Sequence, residues 1–274
     1  MPRLPRPVRL PSAPQEWTRR RLQILLGTVA VVVLAVVAGA AWSVAAMLAD
    51  DPPARGSDAT GHQGPVDASD EDELADTPLP PSTLADAQPG TLSTQTTGTI
   101  TLPGSRRIGP AGVPTGYPHT PQGALAQLVA IDRAAIEPAR VAHAQDVISA
   151  WAAPGGPDAQ SWSGVAAVVT LLSSAGFPAT GAPEMQIRLE PAMGFIKGTV
   201  GDDFVVGCVD FVTYATAGQV NRIAAADCQR MVWQDDRWVI GPGDEPAPAP
   251  SLWPGSQASI DAGYQWLEAP PWTE

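Results

Sequence analysis

The stretch Phe204-Val205-Val206-Gly207-Cys208-Val209-Asp210-Phe211-Val212-Thr213-Tyr214-Ala215-Thr216 is followed by Ala217-Gly218-Gln219 and then by an apolar-rich run over residues 220–233. Val, Phe, Tyr and Thr favour a pleated, partly buried backbone, and the Gly-containing triplet is a turn signal. The whole reads as a long antiparallel hairpin. The cysteines fix its register. Residues equidistant from a turn face each other, and Cys208 and Cys228 each stand ten positions from Gly218. They are expected side by side on neighbouring strands, as a disulfide or as two reduced core cysteines.

The same period of two extends outward. Met185, Ile187 and Leu189 alternate with Gln186, Arg188 and Glu190, which marks one apolar strand face. Residues 195–200 continue that strand past an irregularity at residues 191–194. Gly201-Asp202-Asp203 and Gln234-Asp235-Asp236-Arg237 are turns, and Trp238-Val239-Ile240 is a short last strand. A meander of about four antiparallel strands follows.

Upstream the period changes to that of a helix. Thr120-Pro121 supplies an N-cap and a first-turn proline. Leu125, Leu128, Val129 and Asp132 then share one face, and Pro138 ends the segment. Val141, Ala144, Val147, Ile148 and Trp151 form a second stripe. A third helix is expected over residues 161–174, with Val165, Val168, Val169 and Leu172 inward and Gly176 and Pro178 as the stop. Helices first and strands second predict an α+β domain over residues 113–243: three helices packed on one face of a curved antiparallel sheet.

The rest of the chain is different in kind. Residues 1–21 carry six Arg against one acid, Glu16. Residues 22–49 contain no charged residue and are strongly apolar, longer than the ~20 residues that span a bilayer. Asp50 and Asp51 follow. Basic before and acidic after predicts a transmembrane helix over residues 22–49, with the N-terminus cytoplasmic and the remainder outside. A cleaved signal peptide, with Ser43-Val44-Ala45 as its site, is the rival reading, but the apolar run is nearly twice the ~7–15 residues expected of one. Residues 50–112 read as a disordered, acidic, Pro-rich linker. Up to residue 95 they hold ten acids and one base, Arg55, and like charges and prolines keep such a chain extended.

The net charge of −12 argues against general nucleic-acid binding, since phosphate recognition needs basic surface. Beyond residue 49, where disulfides persist, two cysteines are enough for one bridge. Catalytic signals are few. His143 and Asp146 lie three apart, a common helix-surface pair. No Gly-x-Ser-x-Gly, His-Glu-x-x-His, phosphate-binding Gly-rich loop or Cys-x-x-Cys occurs. Lys197 is the one lysine. Asp202, Asp203 and Asp210 read as turn and edge residues. The expectation is a non-enzymatic protein with no catalytic residue, cofactor or metal.

Nine Trp are present. Trp151, Trp162, Trp233 and Trp238 are expected in the core. The Pro/Trp-rich tail, residues 244–274, carries Trp253, Tyr264, Trp266 and Trp272, with a short helix expected over residues 256–267. It reads as a strap over its own domain or as a partner-docking peptide, because aromatics with little charge are typical interface anchors.

Anchor, spacer, helices and curved meander together resemble the extracytoplasmic domains of conjugative-transfer scaffold proteins, the VirB8/TcpC type with an NTF2-like fold. Locally, Gly116-Tyr117-Pro118-His119-Thr120-Pro121-Gln122-Gly123-Ala124 and Ala150-Trp151-Ala152-Ala153-Pro154-Gly155-Gly156 look like segments of membrane proteins carried by actinobacterial mobile elements. Fifteen Arg to one Lys suits a high-GC genome. The resemblance implies a single-pass scaffold subunit of a conjugation or type IV secretion complex. Its partners would be the bilayer, other subunits and a second copy of itself. The alternative is an NTF2-like binding module for a lipid or small apolar ligand, accessory to a transporter.

Overall fold

The computed structural model describes residues 68–217 and 220–269. The basic segment, the expected transmembrane helix, the first part of the linker and Trp272 lie outside the described residues. Among the described residues no helix is long and apolar enough to cross a membrane.

The first helix after the Thr120 cap is the centre of the domain. Helix α2 (Pro121–Ile136) starts where the Thr120 hydroxyl accepts from the Gly123 N–H at 3.1 Å. Residues 123–132 are buried without a break, including Leu125, Leu128, Val129 and Ile131. A helix apolar on all sides needs cover on all sides. One cover is α3 (Val141–Trp151), which buries Ala144, Val147, Ile148 and Trp151. Another is α4 (Ser163–Ser174), which buries Val165, Val168 and Leu172. Val169, expected inward, is 45% exposed.

The third cover is the sheet. Strands β4 (Gln186–Val200), β5 (Phe204–Thr216), β6 (Val220–Gln234) and β7 (Arg237–Ile240) form the expected antiparallel meander. Two register shifts bend β4, between Pro191 and Met193 and between Ile196 and Gly198. Such bulges raise the twist and curl the sheet. Ile187, Leu189, Val205, Val209, Phe211 and Met231 meet the helices in one core with Trp151, Trp162 and Trp238. Cys208 and Cys228 pair directly across β5 and β6 and are disulfide-bonded, with Cα atoms 4.1 Å apart.

The sheet has six strands rather than four, in the order β1-β8-β4-β5-β6-β7. Both extra strands come from segments read as linker and tail. Strand β8 (Gln265–Glu268) pairs antiparallel with β4 at Met193 and Gly194, and β1 (Thr99–Thr101) pairs parallel with β8. The expected tail helix is only α5 (Gln257–Asp261). Gly263 follows at φ 89°, a left-handed position that suits glycine and ends the helix before β8 begins.

The disordered-linker reading of residues 50–112 is corrected for residues 68–112. These carry α1 (Ala68–Asp76), β1, β2 (Arg107–Ile108) and a 3₁₀ turn (Pro110–Gly112) before β3 (Pro114–Thr115). Strands β2 and β3 form their own two-stranded ribbon. The apolar residues here are widely spaced, so no local period announces them. Some still find a site: Ala75 sits against Phe204 and Val206, and Leu102 enters the main core. The folded unit therefore includes residues 68–112 and 244–269, beyond the expected 113–243.

The cross-strand bond closes a segment of sequence separation 20, which should stabilise the fold by about 3 kcal/mol. Urea unfolding of the oxidised protein and of the Cys208→Ser/Cys228→Ser pair is expected to differ by that amount. A difference under about 0.5 kcal/mol would contradict the constraint role.

Candidate functional site

Alternation along a strand gives the sheet a second face. The helices cover one side. The other is covered by two segments that meet over it, the N-terminal arm (residues 68–98) and a C-terminal strap (residues 241–264). Leu252 and Tyr264 of the strap pack on Met193, and Leu74 and Ala75 of the arm lie near Phe204 and Val206. The two segments are laced together by main-chain hydrogen bonds. The Trp253 N–H donates to Asp86 O at 2.7 Å, and the Ser93 N–H donates to Gly255 O at 2.8 Å. Arg230 fastens both to β6. Its side chain is 5% exposed, and it donates to Asp72 Oδ1 at 2.6 Å and to Asp244 O at 2.8 Å.

This geometry sorts the four aromatic residues expected to dock a partner. Tyr264 is fully buried; its hydroxyl donates to Pro250 O at 3.0 Å, and its ring meets Phe195 edge-on. It is a core residue, because the strap folds back onto its own sheet. Trp253 is half-buried, its ring 5.8 Å from the Arg222 guanidinium. Trp266 is presented, at 41% exposure. Beside it stands Leu92, 60% exposed, with Gly255 between them: a Cβ there would meet both side chains. Leu92 was hidden in sequence by its place in an apparent linker. Next to this patch, at the edge of the sheet, is a groove of about 620 Å³ lined by Thr99, Ile100, Gln122, Phe195, Ile196 and Gln265.

A second concavity of about 430 Å³ lies at the β4–β5 turn, lined by Glu71, Asp202, Asp203, Phe204 and Trp233. Here His119 stacks on Trp233 with ring centres 4.3 Å apart, and its Nε2 is 2.8 Å from Asp203 Oδ1. Trp233, expected in the core, is half-buried: it packs against the main core and also lines this cleft. No sequence signal joins His119 to Asp203, since only the folded turn brings them together.

Acids form a third grouping, in which Asp132 is buried and Asp227 and Glu245 are half-buried. Asp132 on α2 and Asp227 on β6 have carboxyls raised by burial and then by neighbouring charge, to which Glu245 at the start of the strap contributes. Asp210, expected as an edge residue, is fully buried on the strap side. Burial pushes its carboxyl up to about 8, partly offset by the Leu252 backbone. Among the described residues, no group of three or more His, Cys, Asp or Glu is placed to hold a metal ion.

Arg230 is the tie between arm, sheet and strap. Replacing it with Met, which keeps much of the buried stem, is expected to cost about 2 kcal/mol, the scale of hydrogen bonds from a charged group. Limited proteolysis should then cut within residues 68–98 first. Unchanged stability and an intact arm would show that Arg230 does not hold it.

Compared with protein-family models, curated proteins and solved structures, the chain has no match.

Proposed function

We propose that the chain is a single-pass membrane scaffold subunit of a conjugative-transfer or secretion complex, whose extracytoplasmic domain assembles with other proteins. The observation that carries this reading is the Trp266–Leu92 patch. Large apolar side chains standing together at the surface are what a docking site requires, and Trp is the residue type most enriched in binding hot spots. Three pieces of sequence support the setting. The basic residues 1–21, the uncharged residues 22–49 and the acids after them orient the chain across a membrane. The Cys208–Cys228 bond suits an oxidising compartment. Three helices followed by a bulged, curling meander support an NTF2-like domain, a fold that serves many roles.

A photo-crosslinking residue at Leu92 of the full-length chain, in its native membrane, is expected to give discrete protein adducts. Trp266→Ala should weaken them, because loss of a hot-spot Trp costs ~2 kcal/mol, about thirtyfold in affinity. Absence of protein adducts would sink the assembly reading. A reporter fused after residue 269 that scores as cytoplasmic would sink the orientation.

The groove at the sheet edge supports the second reading, a module for a lipid or small apolar ligand, since its volume of about 620 Å³ is in the usual ligand range. Mass spectra of the intact folded protein should then carry one bound lipid, displaced by Ile196→Trp.

A further inference from the structure

The strap that covers the outer face of the sheet begins with a carboxylate that serves a distant helix. Helix α4 has Trp162 at its N-cap and receives no cap from it. Glu245 supplies the missing acceptor: its Oε1 takes hydrogen bonds from the Ser163 N–H at 2.9 Å and the Ser163 Oγ at 3.0 Å. An anion at a helix N-terminus meets unsatisfied N–H groups and the positive end of the dipole. Glu245 is thus the clamp that seats the strap on the helix layer.

That clamp sits in unusual company. Gln229 Nε2 donates to Glu245 Oε1 at 3.3 Å and to Asp227 Oδ1 at 3.2 Å, bridging two carboxyls. Asp132 approaches the same cluster from α2. Asp132 and Gln229 are each 1% exposed, and Asp132 Oδ2, Asp227 Oδ2 and Gln229 Oε1 have no hydrogen-bond partner. Buried polar atoms are rarely left so. A charged buried carboxylate without a partner is costly, whereas a protonated one is tolerated.

The neighbouring cations have partners of their own. Arg133, next to Asp132 on α2, pairs with Glu137 at 3.0 Å. Arg230 on β6 points to the opposite face, where it holds Asp72 of α1 and the Asp244 carbonyl. Across β5, Asp210 is a further buried acid, and Tyr264 of the strap side has its hydroxyl raised by burial and then by Asp210 and Asp227.

We propose that Asp132, Asp227 and Glu245 form a proton-operated latch: while the two aspartates are neutral Glu245 stays seated on α4, and when they lose their protons repulsion drives Glu245 out and frees the strap. The device is independent of the assembly reading. Release would uncover the sheet face around Met193 and Phe195, now packed under Leu252 and Tyr264.

The direction follows from the titration of the two aspartates. Burial first, and then the neighbouring carboxylates, hold both above the ordinary 3.8, with Asp227 at about 7 and Asp132 well above the ordinary value. A raised folded value means that the folded state keeps a proton that the unfolded state has lost. The stabilising contribution is full below about 3.8 and is lost as pH rises through about 7. The strap is therefore closed in acid and opens toward alkaline pH.

Hydrogen exchange of the full-length chain in detergent, corrected for the intrinsic rate, tests this at pH 5.5 and 8. Strap amides over residues 246–262 are expected to lose roughly tenfold or more in protection at the higher pH, since each pH unit of linkage is tenfold. Amides of α2 and β5 should not change. Asp227→Asn should keep the strap protected at pH 8. Equal protection of the strap at both pH values would overturn the latch, as would a full pH step in Asp227→Asn. If that variant does not fold, Asp132→Asn and Glu245→Gln, which retains an acceptor for Ser163, carry the same readout. A full pH step in each of them would overturn the proposal equally.

Discussion

Strand β5 is buried on both of its faces, and the remaining segments are arranged around that constraint. From Phe204 to Phe211 every residue is shielded from water. A strand with one wet face needs one layer of cover, whereas this one needs two. The helices supply the first, through α2 with Leu125, Leu128 and Val129. The second has to come from elsewhere in the chain, and only the segments before and after the helix-and-meander core are left to provide it. The arm and the strap are that cover. Arg230 and the lacing hydrogen bonds hold two segments of little regular structure in place over an otherwise exposed apolar face.

The parts of the fold that were legible in the sequence are those whose signal is local. Thr120 and Pro121 announced α2 because a cap and a first-turn proline act within one turn. The register of β5 on β6 was legible because the turn signal in the sequence sets one pairing for the whole hairpin, and Thr216 with Val220 and Cys208 with Cys228 follow it. The arm was not legible. Leu74, Ala75, Ala87 and Leu102 are too far apart to show a period, and acids crowd the stretch around Leu74. Their burial is decided by elements distant in sequence, as when Ala75 packs on Phe204 and Val206. Composition averages across such a segment and reports a tether.

The candidate sites divide along the same line. Trp266 was readable as a candidate anchor because a large aromatic in a weakly charged tail is conspicuous, and it is 41% exposed. Tyr264, two residues earlier, carries the same signal and is core, since Phe195 and Pro250 O await it in the fold. Nothing in the sequence links His119 with Asp203, or Glu245 with Ser163. In each case a turn or loop delivers one partner from a distant element. Asp132 was placed on an apolar helix face by its spacing alone, yet its carboxylate neighbours come from β6 and the strap.

The parallel pairing of β1 with β8 has a kinetic consequence. It joins segments at opposite ends of the folded unit, such as Thr97 and Tyr264 with a sequence separation of 167. Parallel pairing between such distant strands adds no local contacts to offset the entropy of closing so long a loop. The helices and the β5–β6 hairpin can assemble from nearby sequence, but this seam has to wait for them. The edge of the sheet next to β4 is thus the last part of the structure to close during folding and the first to open during unfolding.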